Sequence, residues 1–117
     1  MKVLIIDDEI DICYLLSGLL ANRNLETNYV NSIADAVLAM KDYKPQIIFL
    51  DNCLPDGKGV DFIEYIKKNL PVAKLVMITA YDTICDRNNA FSKGVDYFIP
   101  KPFSRDKIYD VLDEIIR

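Results

Sequence analysis

The chain has 117 residues, 51% hydrophobic and 27% charged, with a net charge of −4. That is enough for one domain with a real core, and it argues against nonspecific attachment to nucleic acid or anionic lipid. No apolar run reaches membrane-span length and no signal-peptide pattern opens the chain, so the cytoplasm is the expected home.

The first element in chain order is Val3–Ile6, a short branched run that reads as a strand buried on both faces of a parallel sheet. It ends on two adjacent aspartates in "LIIDDEID", and a helix follows, with Ile12, Leu16, Leu19 and Leu20 on one face. Leu25–Val30 reads as an edge strand, since Leu25, Thr27 and Tyr29 alternate with polar residues. Ser32, with Asp35 three residues on, resembles a capping box and opens a helix that ends before Pro45. Ile47–Leu50 is the second buried strand, followed by a helix carrying Phe62, Ile63, Ile66 and Leu70. Leu75–Ile78 is the third. The stretch from Thr83 to Lys93 has Asn88 and Asn89 at its centre and few apolar residues at helical spacing, which predicts a short or labile helix. Tyr97–Ile99 is a last short strand, and Ile108, Val111, Leu112 and Ile115 mark a final helix that Ser104 is placed to cap. Five strands alternating with five helices predict a doubly wound α/β domain, a three-layer sandwich.

Histidine is absent. This excludes Ser–His triads, Cys–His pairs, His-ligated zinc and a phosphohistidine carried on the chain. The three cysteines, Cys13, Cys53 and Cys85, are odd in number and lack CxxC spacing, so they read as reduced thiols.

Ligands of open parallel sheets bind beyond the carboxyl ends of the strands. Asp7 and Asp8 follow the first strand, Asp51 the third, Thr79 and Ala80 the fourth, and Lys101 the fifth, between Pro100 and Pro102. Each has a plain alternative: acids after a strand often cap the next helix, Thr79 alone reads more readily as a cap, and an isolated lysine is usually solvated. Their joint occurrence on one rim favours a site. Three carboxylates suit a hard divalent cation, Mg2+ before Ca2+, with Mn2+ as a substitute. One of them, Asp51 on the central strand, is then placed as a nucleophile towards phosphorus, with Lys101 and Thr79 stabilising the transferring group.

These residues resemble the response-regulator receiver domain of two-component signalling. The likeness rests on "LIIDDE", "IIFLDNCLPDGKGVDFI", "VMITAYD" and "GVDYFIPKPF", in order and correctly spaced, over essentially the whole of residues 1–117. It implies a flavodoxin-like sheet of order 2-1-3-4-5, with no effector domain in this chain. It implies Asp51 as phosphoacceptor, Asp8 as a direct Mg2+ ligand, Asp7 acting mainly through water, and the Cys53 backbone carbonyl as a further ligand. Thr79 would be the switch hydroxyl, Phe98 the switch aromatic and Lys101 the phosphate-binding cation, with a cis bond at Pro102. Cys53, Ala80 and Tyr81 occupy positions that tune the lifetime of the phosphoryl group.

The implied activity is a phosphorylation switch that promotes its own phosphorylation and dephosphorylation and is not a free-standing enzyme. The donor would be a sensor histidine kinase, a histidine phosphotransfer protein or a small acyl phosphate. The output would be a downstream protein or effector domain on the face of the fourth helix, fifth strand and fifth helix, which could also form a phosphorylation-dependent homodimer; direct contact with nucleic acid or membrane is not expected. The rival reading is a receiver-like interaction module working without phosphorylation. A flavodoxin-like binding protein lacks its phosphate loop here, and an aspartate-based phosphatase lacks a second carboxylate at residue 53.

Overall fold

The computed structural model describes residues 1–80 and 83–117. Five parallel strands form one sheet: β1 (Lys2–Ile6), β2 (Glu26–Val30), β3 (Ile47–Asp51), β4 (Lys74–Thr79) and β5 (Tyr97–Pro100), in the order β2-β1-β3-β4-β5. Five helices connect or follow them: α1 (Ile10–Ala21), α2 (Ile33–Tyr43), α3 (Gly59–Asn69), α4 (Ile84–Lys93) and α5 (Arg105–Ile116). The expected doubly wound architecture and strand order are therefore observed. A small hairpin outside the sheet, Cys53–Leu54 paired with Gly57–Lys58, was not anticipated from the sequence.

The apolar runs are continuous because both faces of the sheet are covered. Leu4, Ile6, Ile48, Leu50, Leu75 and Met77 point to one face, where they meet Ala36 and Met40 of α2, Phe62, Ile63 and Ile66 of α3, and Ala90 of α4. The residues between them, Val3, Ile5, Ile47, Phe49, Val76 and Ile78, point to the other face against Cys13, Leu16 and Leu20 of α1 and Ile108, Val111 and Leu112 of α5. Each such side chain, fully buried, contributes about 1.5–3 kcal/mol of transfer free energy.

Helix ends are set by local chemistry. The Ser32 hydroxyl accepts from Asp35 N and the Ser104 hydroxyl from Lys107 N, each at 3.1 Å. The α4 helix runs ten residues, the shortest of the five, and fills the stretch expected to be helical. Only Ala90 of it is buried, so its definition comes from its ends. Thr83 and Asp86 form a complete capping box, and Gly94 closes the helix in the left-handed region at φ 117°. Among the described residues, no helix is long and apolar enough to cross a membrane.

Candidate functional site

Strand register brings the polar residues together. Ile6 pairs with Leu50, Asp51 with Ile78 and Thr79 with Pro100, so the residues at or just past these positions emerge on one rim. Hydrogen bonding carries on past the strand ends: Asp7 N donates to Val30 O at 3.1 Å and Lys101 N to Thr79 O at 2.8 Å. Among the described residues the buried polar or charged side chains are Asp7, Asp51 and Thr79, 2%, 4% and 1% exposed. All three stand on this rim, which an apolar core does not require.

Lys101 reaches into the cluster with its side chain 10% exposed. Its ammonium lies 3.0 Å from Asp7 Oδ2, 3.0 Å from Glu9 Oε1 and 3.6 Å from Asp51 Oδ1. Burial pulls the lysine pKa down, but the bonds to Asp7 and Glu9 and the charge of Asp51 outweigh it and hold the pKa above the ordinary value. Burial raises Asp51 to about 7, the charge of Asp7 adds to the rise, and Lys101 and a backbone bond from Cys53 oppose it. Asp7 is also raised by burial, against the bond from the Glu9 amide and the pairing with Lys101.

Oxygens of Asp7, Asp8, Glu9 and Asp51 all lie within 4.8 Å of one another. This donor set fits a hard, oxygen-seeking divalent cation: all its atoms are carboxylate oxygens, and burial pushes the pKa values of two of the four groups upward, a cost that a bound cation would relieve. Asp8 is exposed at the mouth. Glu9 is the residue missed in the sequence. At the N-cap of α1 its side chain makes no capping bond and turns to Lys101 instead. The only sequence signal was the third consecutive acid.

Cys53 and Ala80 border the same depression as Asp8, Asp51, Thr79 and Lys101. The Cys53 thiol is exposed. Tyr81 lies outside the described residues. Phe98 is buried beneath α4, its ring 6.4 Å from that of Phe91 and 5.1 Å below the Arg87 guanidinium. It thus already points inward. The Lys101–Pro102 bond is cis.

The loop after β3 is fixed from two sides. Asn52 accepts from Gly59 N with its carbonyl and from Val60 N with its side chain, both at 2.9 Å, which anchors α3 directly behind Asp51. Asp56, in the hairpin turn, accepts from Ile33 N at 2.8 Å and Ala34 N at 2.9 Å, so a residue distant in sequence caps the first turn of α2.

Known proteins show the same arrangement of sequence and fold. The family model for the response regulator receiver domain matches residues 3–113. PilR, a response regulator protein of Pseudomonas aeruginosa, is 31% identical over 118 residues, covering 99% of this chain and 26% of PilR. The sensory transduction protein LytT of Enterococcus faecalis is 35% identical over 116 residues, 97% of this chain and 47% of LytT. Among solved structures, a two-component response regulator from Clostridium difficile superposes with a TM-score of 0.96 at 26% identity, over 100% of this chain and 96% of that one. The receiver domain of NtrX from Brucella abortus superposes with a TM-score of 0.90 at 32% identity, over 97% of each chain.

The chain belongs to the response regulator receiver domain family. Receiver domains are signalling domains that interact with histidine kinases and with output domains, and they generally bind Mg2+ at an acidic pocket. The chain spans between a quarter and a half of the length of these curated relatives.

Proposed function

We propose that this receiver domain is a phosphorylation switch in which Asp51 accepts a phosphoryl group from a partner histidine kinase, a histidine phosphotransfer protein or a small acyl phosphate. The observation that carries the reading is the placing of Asp51: nearly fully buried, 3.6 Å from Lys101, and within 4.8 Å of three further carboxylates. Burying such a cluster costs stability unless charge is brought to it. With no histidine among these 117 residues, a phosphohistidine donor lies outside them.

Asp8, Asp51 and the Cys53 carbonyl would hold Mg2+, or Mn2+ in its place, with Asp7 behind them acting mainly through water. When bound, the metal supplies positive charge for the oxygens of the transferring group. An Asp51 oxygen attacks phosphorus as the bond from phosphorus to the donor breaks, and the donor leaves with the bonding pair. Lys101 neutralises one phosphoryl oxygen and the Thr79 hydroxyl donates to another. The flanking Cys53, Ala80 and Tyr81 tune how fast water returns the group to solution.

Thr79 stands at the edge of a small cavity that Met77, Asn89, Ala90 and Phe98 also line. Movement of Thr79 towards the phosphoryl group would reach Phe98 and α4 through this space and change the α4–β5–α5 face. Ile84 and Phe91 are exposed on α4 and give a downstream protein, an effector domain or a second copy apolar surface to read. A cytoplasmic setting agrees with this role.

The test is intact mass after incubation with acetyl phosphate, with and without Mg2+. A Mg2+-dependent gain of one phosphoryl group in the wild type, absent in Asp51→Asn, supports the switch. A folded wild type that takes up none leaves the interaction module working without phosphorylation.

A further inference from the structure

We infer that Glu9 is a positioning residue that holds Lys101 towards the solvent side of the cluster in the resting protein and releases it when Asp51 is phosphorylated; the inference rests on Asp51 being the phosphoacceptor. An ammonium group has three donors. In Lys101 two are engaged at 3.0 Å, by Asp7 and Glu9, while Asp51 at 3.6 Å lies beyond hydrogen-bond reach. The cation that the chemistry needs at Asp51 is thus held by its neighbours.

The two holders differ. Asp7 is buried and pinned: its Oδ1 accepts from Glu9 N at 2.9 Å and its carbonyl from Asn31 Nδ2 at 2.8 Å. The Glu9 side chain is 58% exposed and makes no capping bond to α1. Glu9 can therefore swing away into water at little cost, and Asp7 cannot.

Phosphorylation changes which partner Lys101 prefers. As the Asp51 oxygen–phosphorus bond forms, the bond from phosphorus to the acyl oxygen breaks and the carboxylate departs with the pair. The phosphoryl oxygens then add negative charge on the Asp51 side. Lys101 keeps Asp7 and exchanges Glu9 for a phosphoryl oxygen. The Glu9 contact is present only before the reaction, so it stabilises the ground state and slows phosphorylation. A half-exposed ion pair supports a modest effect, about two- to five-fold in rate.

The experiment compares initial rates of phosphoryl uptake from acetyl phosphate at saturating Mg2+ in wild type, Glu9→Gln and Glu9→Asp, alongside Mg2+ affinity and thermal unfolding of each. Aspartate keeps the charge but is one methylene too short for the Lys101 contact. The expected result is that both variants react about two- to five-fold faster, with Mg2+ affinity changed by well under tenfold and the unfolding midpoint lowered by no more than a few degrees. Three results overturn the inference. Equal rates in all three proteins remove the restraint. A faster Glu9→Gln beside an unchanged Glu9→Asp shows that only the overall charge matters. A tenfold loss of Mg2+ affinity in Glu9→Gln makes Glu9 a metal ligand instead. Failure of the wild type to take up any phosphoryl group overturns the proposed function itself, and this inference with it.

Discussion

Gly59 lies so close against the backbone carbonyl of Asp51 that a Cβ at residue 59 would overlap it. The contact arises because Gly59 N donates to Asn52 O, drawing the first turn of α3 onto the end of β3. The listener to that geometry is Asp51 itself, whose carboxylate direction depends on where this loop lies. Gly59→Ala must push the two backbones apart. Overpacking of this kind costs about 1–3 kcal/mol, read as a lower urea midpoint, and phosphoryl uptake at Asp51 should slow by more than the folded fraction accounts for.

The acidic cluster makes the metal-free protein sensitive to pH in the neutral range. The Asp51 pKa is raised to about 7 in the folded protein, whereas an unfolded aspartate titrates near ~3.9. The folded state therefore binds more protons between these values, and stability falls as pH rises from about 4 to about 7. Asp7 shifts in the same direction. In chelator, Asp51→Asn should raise the unfolding temperature at pH 8 and change it little at pH 4. Added Mg2+ should narrow the difference at pH 8. A variant no more stable than wild type at pH 8 would show that Asp51 bears no such strain.

Asp56 works in the opposite sense. Its bonds from Ile33 N and Ala34 N hold its carboxyl below the usual range, so its stabilising contribution is present above the unfolded aspartate pKa and is lost as pH falls through the folded one. Asp56→Ala should lower the unfolding temperature at pH 7, and the two proteins should converge in acid. Hydrogen exchange at Ile33 and Ala34 should accelerate in the variant; unchanged exchange there would contradict the cap.

The cysteines should separate by environment. Cys13 is buried under α1 and burial raises its pKa to about 11, whereas Cys53 and Cys85 are exposed. A maleimide at pH 7 should label two thiols in the native protein and a third only on denaturation. Rapid labelling of all three would mean that α1 opens far more readily than its packing implies.

The fold was legible where one physical cause dominates. Val3–Ile6, Ile47–Leu50 and Leu75–Ile78 stand out because both sheet faces are covered, which removes the alternation an exposed face would impose. The rim was legible because Asp7, Asp51, Thr79 and Lys101 each end or directly follow a strand, and strand ends of a parallel sheet converge. Asp56 was not, since its role depends on a hairpin bringing it beside α2, and nothing local to Pro55–Gly57 announces that. Glu9 escaped for a related reason. An acid before a helix reads as a cap, and only the reach of Lys101 across the rim assigns it elsewhere. The extent of α4 was legible from Thr83 to Lys93, but the Thr83–Asp86 capping box that defines its start was not singled out.

The central claim concerns one carboxylate, so the most direct measurement locates the phosphoryl group rather than counting it. Protein treated with acetyl phosphate and Mg2+ is reduced with borohydride, which converts an aspartyl phosphate to homoserine, and the digest is sequenced by mass spectrometry. The account predicts homoserine at residue 51, none at Asp7 or Asp8, and none anywhere when Mg2+ is withheld. Homoserine at another acid, or none in a folded protein exposed to both reagents, would contradict it.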